Sequence, residues 1–297
     1  MTSPSTDKLS GLFTAIFTPF DLHGSLALDL FAPLLEFQRT AGIDGLVVCG
    51  TNGEGASMSV SERKAALEAV VSQRGTFTIV AGTGAASVVD AVELTRHAAG
   101  VGADAALVLP PFFFKSPSAQ GLADYYLPVL DSADLPIMLY NIPQYSAVPI
   151  TDGLIELLAG HPNLAGVKDS AGDLTRTLQF INCYPRLKIF SGADRLASDC
   201  YANGGAGCIS GGANAFPEIV AAVRNGFRAG LQSVTSDAQA RLNKLIDIMA
   251  KYPFITSGRA VIANRGLPRL GVRAPLTLMT AEQEQKLIAE LRDAEFV

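Results

Sequence analysis

Ile137-Met-Leu-Tyr-Asn-Ile-Pro143 and Asn163-Leu-Ala-Gly-Val-Lys-Asp-Ser-Ala-Gly172 flank a longer helical segment that stops near Gly160, and together they decide the fold. Each holds a short apolar run, Ile137–Tyr140 and Ala165–Lys168, without polar alternation. Parallel strands buried on both faces produce such runs. The pattern recurs along the whole chain. Further strands are predicted over Leu12–Thr18, Gly45–Cys49, Phe77–Ala81, Ala105–Leu109, Lys188–Phe190 and Ala206–Ser210. Between them lie amphipathic segments with helix starts at Ser59-Val-Ser-Glu62 and Ser87-Val-Val-Asp90, and helix stops at Gly100, Gly102 and Gly160. Eight strands, each followed by a helix, predict an α/β protein folded as a (β/α)8 TIM barrel. A doubly wound sheet also uses βα repeats, but regular units without a dinucleotide loop favour closure. After about Phe216 the strand signal fades, and Pro217–Lys251 and Thr280–Asp293 read as helices. The expected division is a catalytic barrel over 1–216 and a C-terminal helical extension over 217–297, packed on the barrel.

Composition narrows the partners. With 48% hydrophobic residues, the 297-residue chain can bury a large core. Only 17% of residues are charged, which hints at surface covered by other subunits. A net charge of −5 without a basic cluster argues against nucleic acid and anionic membranes. Cys49, Cys183, Cys200 and Cys208 show no C-x-x-C spacing and read as reduced thiols. The polar N-terminus shows no secretory signal, and no apolar stretch reaches membrane-spanning length, so a cytoplasmic location is expected. His23, His97 and His161 are the only histidines, and the last two fall in or at the ends of predicted helices. That distribution speaks against a metal centre.

In a barrel of this kind the chemistry sits at the C-terminal ends of the strands. Lys168 ends the sixth strand and Tyr140 the fifth, about 5 Å apart across the sheet. A lysine among apolar neighbours loses proton affinity by desolvation, which makes it an amine nucleophile for a ketone. The alternative for Lys168 is a salt bridge to a loop carboxylate such as Asp169. Tyr140 can donate and accept the protons that amine chemistry needs; its alternative is an aromatic core residue. After the second strand, Gly50-Thr-Asn-Gly-Glu-Gly55 opens a helix and presents backbone N–H groups and the Thr51 hydroxyl to an anion, here a carboxylate. Such loops are also common as plain tight turns. Glu54 reads as a dipole-compensating or inter-loop residue. Gly211-Gly212-Ala213-Asn214 reads as a turn that closes the pocket.

These motifs, in this order, resemble the dihydrodipicolinate synthase / N-acetylneuraminate lyase superfamily of pyruvate-dependent class I aldolases. The resemblance runs through Thr14-Ala-Ile-Phe-Thr-Pro-Phe20, Gly50-Thr-Asn-Gly-Glu54, Tyr140-Asn-Ile-Pro143, Gly166-Val-Lys-Asp-Ser170, Ser191-Gly-Ala-Asp194 and Gly207-Cys-Ile-Ser210. It implies a Schiff base between Lys168 and the C2 carbonyl of pyruvate or a longer 2-oxo acid. Tyr140 then moves the protons with help from Thr51. It also implies a carboxylate held by Thr51 and Asn52, a pocket lined near Gly50, Ile209 and Gly192, no cofactor, and a homotetramer built as a dimer of dimers.

Departures from the family pattern bear on the substrate. Asn52 stands where Thr is usual, as in the 4-hydroxy-2-oxoglutarate aldolase branch. Phe113, in Pro110-Pro-Phe-Phe-Phe-Lys115, stands where the synthases carry a relay tyrosine, and Gln144-Tyr145 stand where they carry a carboxylate-binding arginine. An aldolase that joins pyruvate to an aldehyde is therefore favoured, acting on a 2-keto-3-deoxy sugar acid or another 4-hydroxy-2-oxo acid. The runner-up is 4-hydroxy-tetrahydrodipicolinate synthase, with Arg195 or Lys115 supplying the missing charge. An imine-dependent dehydratase and a non-catalytic 2-oxo-acid-binding barrel are further alternatives.

Overall fold

The computed structural model describes residues 4–297; residues 1–3 of the polar N-terminus lie outside that range. Eight parallel strands close into a barrel: β1 (Gly11–Ala15), β2 (Gly45–Val48), β3 (Thr78–Gly82), β4 (Ala105–Val108), β5 (Ile137–Asn141), β6 (Leu164–Asp169), β7 (Lys188–Ser191) and β8 (Gly207–Ser210). β1 pairs with both β2 and β8, so the sheet has no free edge. Every predicted strand is present. The largest difference is β1, predicted to reach Thr18 but ending at Ala15. Beyond it only Ile16 holds on, through its amide to the Val47 carbonyl.

Burial on both faces explains the unbroken apolar runs. In β5, Ile137 and Leu139 pack outward under the helices, whereas Met138 and Tyr140 join the barrel interior with Phe13, Val47, Val80, Phe190 and Ile209. The period-2 geometry of a strand therefore turns every second residue into the barrel. Tyr140 and Lys168 are direct partners in the β5–β6 register, so both finish at the same mouth.

The expected helix starts are real. Ser59 and Glu62 form a reciprocal capping box on Val60–Val71, and Ser87 accepts from the Asp90 amide at the start of Val88–Gly100. The expected boundary at residue 217 moves. Helix Pro217–Arg228 packs on β1 and the preceding helix Ala197–Ala202, which makes it the helix of the eighth β/α unit. The appendage proper begins with Gln232–Met249 and continues through Phe254–Asn264 and Ala281–Asp293. Gln239 ties it to the barrel mouth, donating to the Asp194 carbonyl and accepting from the Ser198 amide. No helix among the described residues is long and apolar enough to cross a membrane.

Candidate active site

At the mouth of β5 and β6, Lys168 is 4% exposed, and its Nζ donates to the Tyr140 hydroxyl at 3.2 Å. The ammonium also lies 4.3 Å from the centre of the tyrosine ring. The carboxylate first considered as its partner is occupied elsewhere. Asp169 alternates to the other face of β6 and accepts from Asn141 Nδ2 at 2.8 Å and Thr177 Oγ1 at 2.7 Å. Lys168 is thus a buried amine whose side-chain hydrogen bond is to a phenol.

Tyr140 also meets the Thr51 hydroxyl at 3.3 Å. Burial pushes the phenol's pKa up, but the Lys168 charge and hydrogen bonds from Thr51, Ser170 and Lys168 outweigh it, so the group titrates below its ordinary value. A tyrosine held in that way gives up its proton more readily and can exchange it with substrate or Thr51.

The loop that carries Thr51 is closed by Glu54 N to Thr51 O and by Gly55 N to Gly50 O, both 3.1 Å. Glu54 adopts a left-handed backbone (φ 52°), and both of its carboxylate oxygens are engaged. One oxygen accepts from Arg259 Nη2 at 2.5 Å, the other from the Arg273 amide at 2.9 Å. Both side chains of the Glu54–Arg259 pair are 1% exposed. Glu54 is therefore an inter-loop residue, anchored to a helix of the appendage. Burial pulls Arg259 down to about 10, while Glu54 acts to raise it. Removing one partner strands a buried charge, so Arg259→Met is expected to cost about 3–5 kcal/mol. Denaturant titration checks this, and an unchanged unfolding free energy would show that the pair does not hold the loop.

A cavity of about 450 Å³ opens above Lys168, in the range typical of small-molecule sites. Thr51, Asn52, Tyr140, Gly192, Ile209 and Tyr145 line it, so six of the nine residues expected at the site meet Lys168 there, leaving two to be placed. Gly50 lines a neighbouring cavity of about 610 Å³ that shares Thr51, Tyr140 and Tyr145. Gly192 has no room for a side chain, because a Cβ would lie 1.9 Å from Ser170 Oγ and 2.8 Å from Lys168 Cε.

Phe113, expected at the site, lines neither cavity of this single chain. It is 73% exposed and packs edge-on against Phe114, because the stretch after Pro110-Pro111 swings out from the barrel; Phe112 is the residue that turns inward. The two cations considered as substitutes for the missing arginine are also placed elsewhere. Arg195 pairs with Asp247 at 2.5 Å, and Lys115 Nζ donates to the Phe112 carbonyl and, at 3.4 Å, to that of Ser146.

Asp194 and Ser170 enter the site without having been singled out. Asp194 accepts from the Gly212 amide at 3.1 Å and lies 3.6 Å from Cys208 Sγ. Burial raises its carboxyl above the ordinary range, against hydrogen bonds from Ser210 and Gly212 and the charge of Lys168. Its place after β7, inside Ser191-Gly-Ala-Asp194, was the available signal. Among the described residues, no group of three or more His, Cys, Asp or Glu side chains is placed to hold a metal ion.

The profile of the dihydrodipicolinate synthetase family matches residues 8–294. The chain belongs to that family. An uncharacterized DapA-like lyase of Chloroflexus aurantiacus is 38% identical over 290 residues, covering 96% of this chain and 95% of the relative. A 4-hydroxy-tetrahydrodipicolinate synthase of Phenylobacterium zucineum is 35% identical over 286 residues, covering 96% and 97%. Among solved structures, a prophage protein of E. coli K12 from the dihydrodipicolinic acid synthase family, crystallised with pyruvate, superposes with a TM-score of 0.91 at 25% identity, covering 97% of this chain and 99% of that one. The protein is thus a TIM-barrel carbon–carbon lyase of the pyruvate-dependent class I type.

Proposed function

We propose that this lyase is a Schiff-base aldolase that cleaves and forms 4-hydroxy-2-oxo acids, the class to which 2-keto-3-deoxy sugar acids also belong. The observation that carries this is the buried Lys168 amine, 3.2 Å from a tyrosine hydroxyl and open to a substrate-sized cavity. The ε-amine adds to the C2 carbonyl, and water leaves to give a protonated imine. Tyr140 takes the proton of the C4 hydroxyl, with Thr51 as relay. The C3–C4 bond then breaks, its electron pair forms the C2–C3 double bond of the enamine, and the imine π pair passes to nitrogen. The aldehyde departs, the enamine takes a proton at C3, and water releases pyruvate and the free amine. The reverse sequence joins pyruvate to an aldehyde. Thr51 and Asn52 are assigned to the substrate carboxylate.

The synthase reading is supported by the name of the Phenylobacterium relative. Against it stands the lining of the cavity above Lys168, where Lys168 is the sole cation among the described residues and Gln144 and Tyr145 stand at the place of the family arginine. A homotetramer and a cytoplasmic location complete the proposal. The exposed aromatic edge formed by Phe113, Phe114 and Tyr145 supports association of subunits.

The test is the intact-protein mass after pyruvate and borohydride, followed by peptide mapping. One reduced adduct at Lys168 is expected. A folded protein that takes up no adduct would remove the Schiff-base claim.

A further inference from the structure

We infer that the aldehyde half of the substrate is uncharged and apolar: the C4 substituent is an aryl or alkyl group, not a polyol and not an acid. This rests on the Schiff-base reading and deepens it. The cavity has two unlike parts. Around Lys168 it is polar, with Thr51, Asn52, Tyr140, Ser170 and Asp194. The part formed by the appendage presents Leu242, Leu245, Ile246, Met249, Tyr252 and Phe254.

The few polar groups in that second part are already engaged. The Tyr252 hydroxyl donates to Glu290 at 2.8 Å, leaving its ring to the cavity. Ser257 Oγ donates to the Phe254 carbonyl at 3.3 Å; on the Lys168 side, Gln144 Nε2 donates to the Ser170 carbonyl at 2.7 Å. Of the nearby charges, Arg195 and Asp247 pair with each other outside the lining, and Arg63, in the wall of the neighbouring cavity, donates to the Gly82 and Gly84 carbonyls. Apart from Lys168, which the imine consumes, the ionisable groups of the lining are Asp194 and tyrosine hydroxyls. A carboxylate or phosphate on the aldehyde would lose its hydration here without a cation to replace it, and would face the Asp194 carboxyl. A polyol would leave several hydroxyls against hydrocarbon. An aryl or alkyl group gains contact with every wall.

The experiment is a pyruvate condensation panel on the full chain, after borohydride trapping has been scored. Benzaldehyde and hexanal are compared with glyceraldehyde, succinic semialdehyde and aspartate semialdehyde. Each methylene in an apolar pocket is worth about tenfold or more, so kcat/KM for the first two should exceed the others by at least about tenfold. Met249→Arg should reverse the order, lowering kcat/KM for benzaldehyde and raising it for succinic semialdehyde. Misfolding cannot produce that crossed change. Adduct at Lys168 with equal or better use of the acids or glyceraldehyde overturns the apolar substituent and leaves the Schiff base standing. Adduct without turnover of any aldehyde also overturns it. Absence of adduct overturns both.

Discussion

Lys168→Ala is expected to abolish pyruvate trapping and to lower turnover on the order of 10⁶-fold, the scale on which loss of a covalent nucleophile acts. The amine is the electron sink of the proposed reaction. Without it, breaking the C3–C4 bond leaves an unstabilised carbanion. Lys168 also has an electrostatic duty, because its charge contributes to holding Tyr140 below its ordinary titration range. Lys168→Arg separates the two roles: it keeps a cation near the phenol but offers no amine to form an imine. Both variants should lose the adduct, and only the alanine variant should let the Tyr140 titration rise. Appreciable turnover by either would place the nucleophile elsewhere.

Much of this was legible in the chain itself, for reasons that differ by residue. Each strand of a parallel barrel is buried on both faces, so runs such as Ile137–Tyr140 stand out as unbroken apolar segments. Two-residue periodicity then turns Tyr140 and Lys168 inward at the same height, and the register joins them. What local pattern could not express was packing from afar. Nothing near Met249 or Phe254 in sequence says which end of the barrel their helices cover, yet they wall the cavity. Nothing near Glu54 names its partner, which lies 205 residues away. Phe113 is a motif position that the single chain leaves exposed and outside both cavities.

Tyr140→Phe is expected to slow turnover about 10²–10⁴-fold, the usual worth of one positioned acid–base group. The substitution removes a single oxygen, so the ring keeps its place in the barrel interior, and the fold and the approach of pyruvate to Lys168 should survive. Trapping by borohydride should therefore persist, more slowly, while cleavage falls much further. The pH profile supplies a second readout. Because Tyr140 is held below the ordinary tyrosine value of about 10, the limb of kcat/KM that follows phenol ionisation should sit below that value in the native enzyme. Thr51→Val removes one hydrogen bond to the phenolate and should shift that limb upward with a smaller loss of rate. In Tyr140→Phe the limb should vanish. A native profile in that variant, or a rate within a few fold of native, would assign the proton to another group, and Asp194 is the carboxyl in the same cavity that could take it.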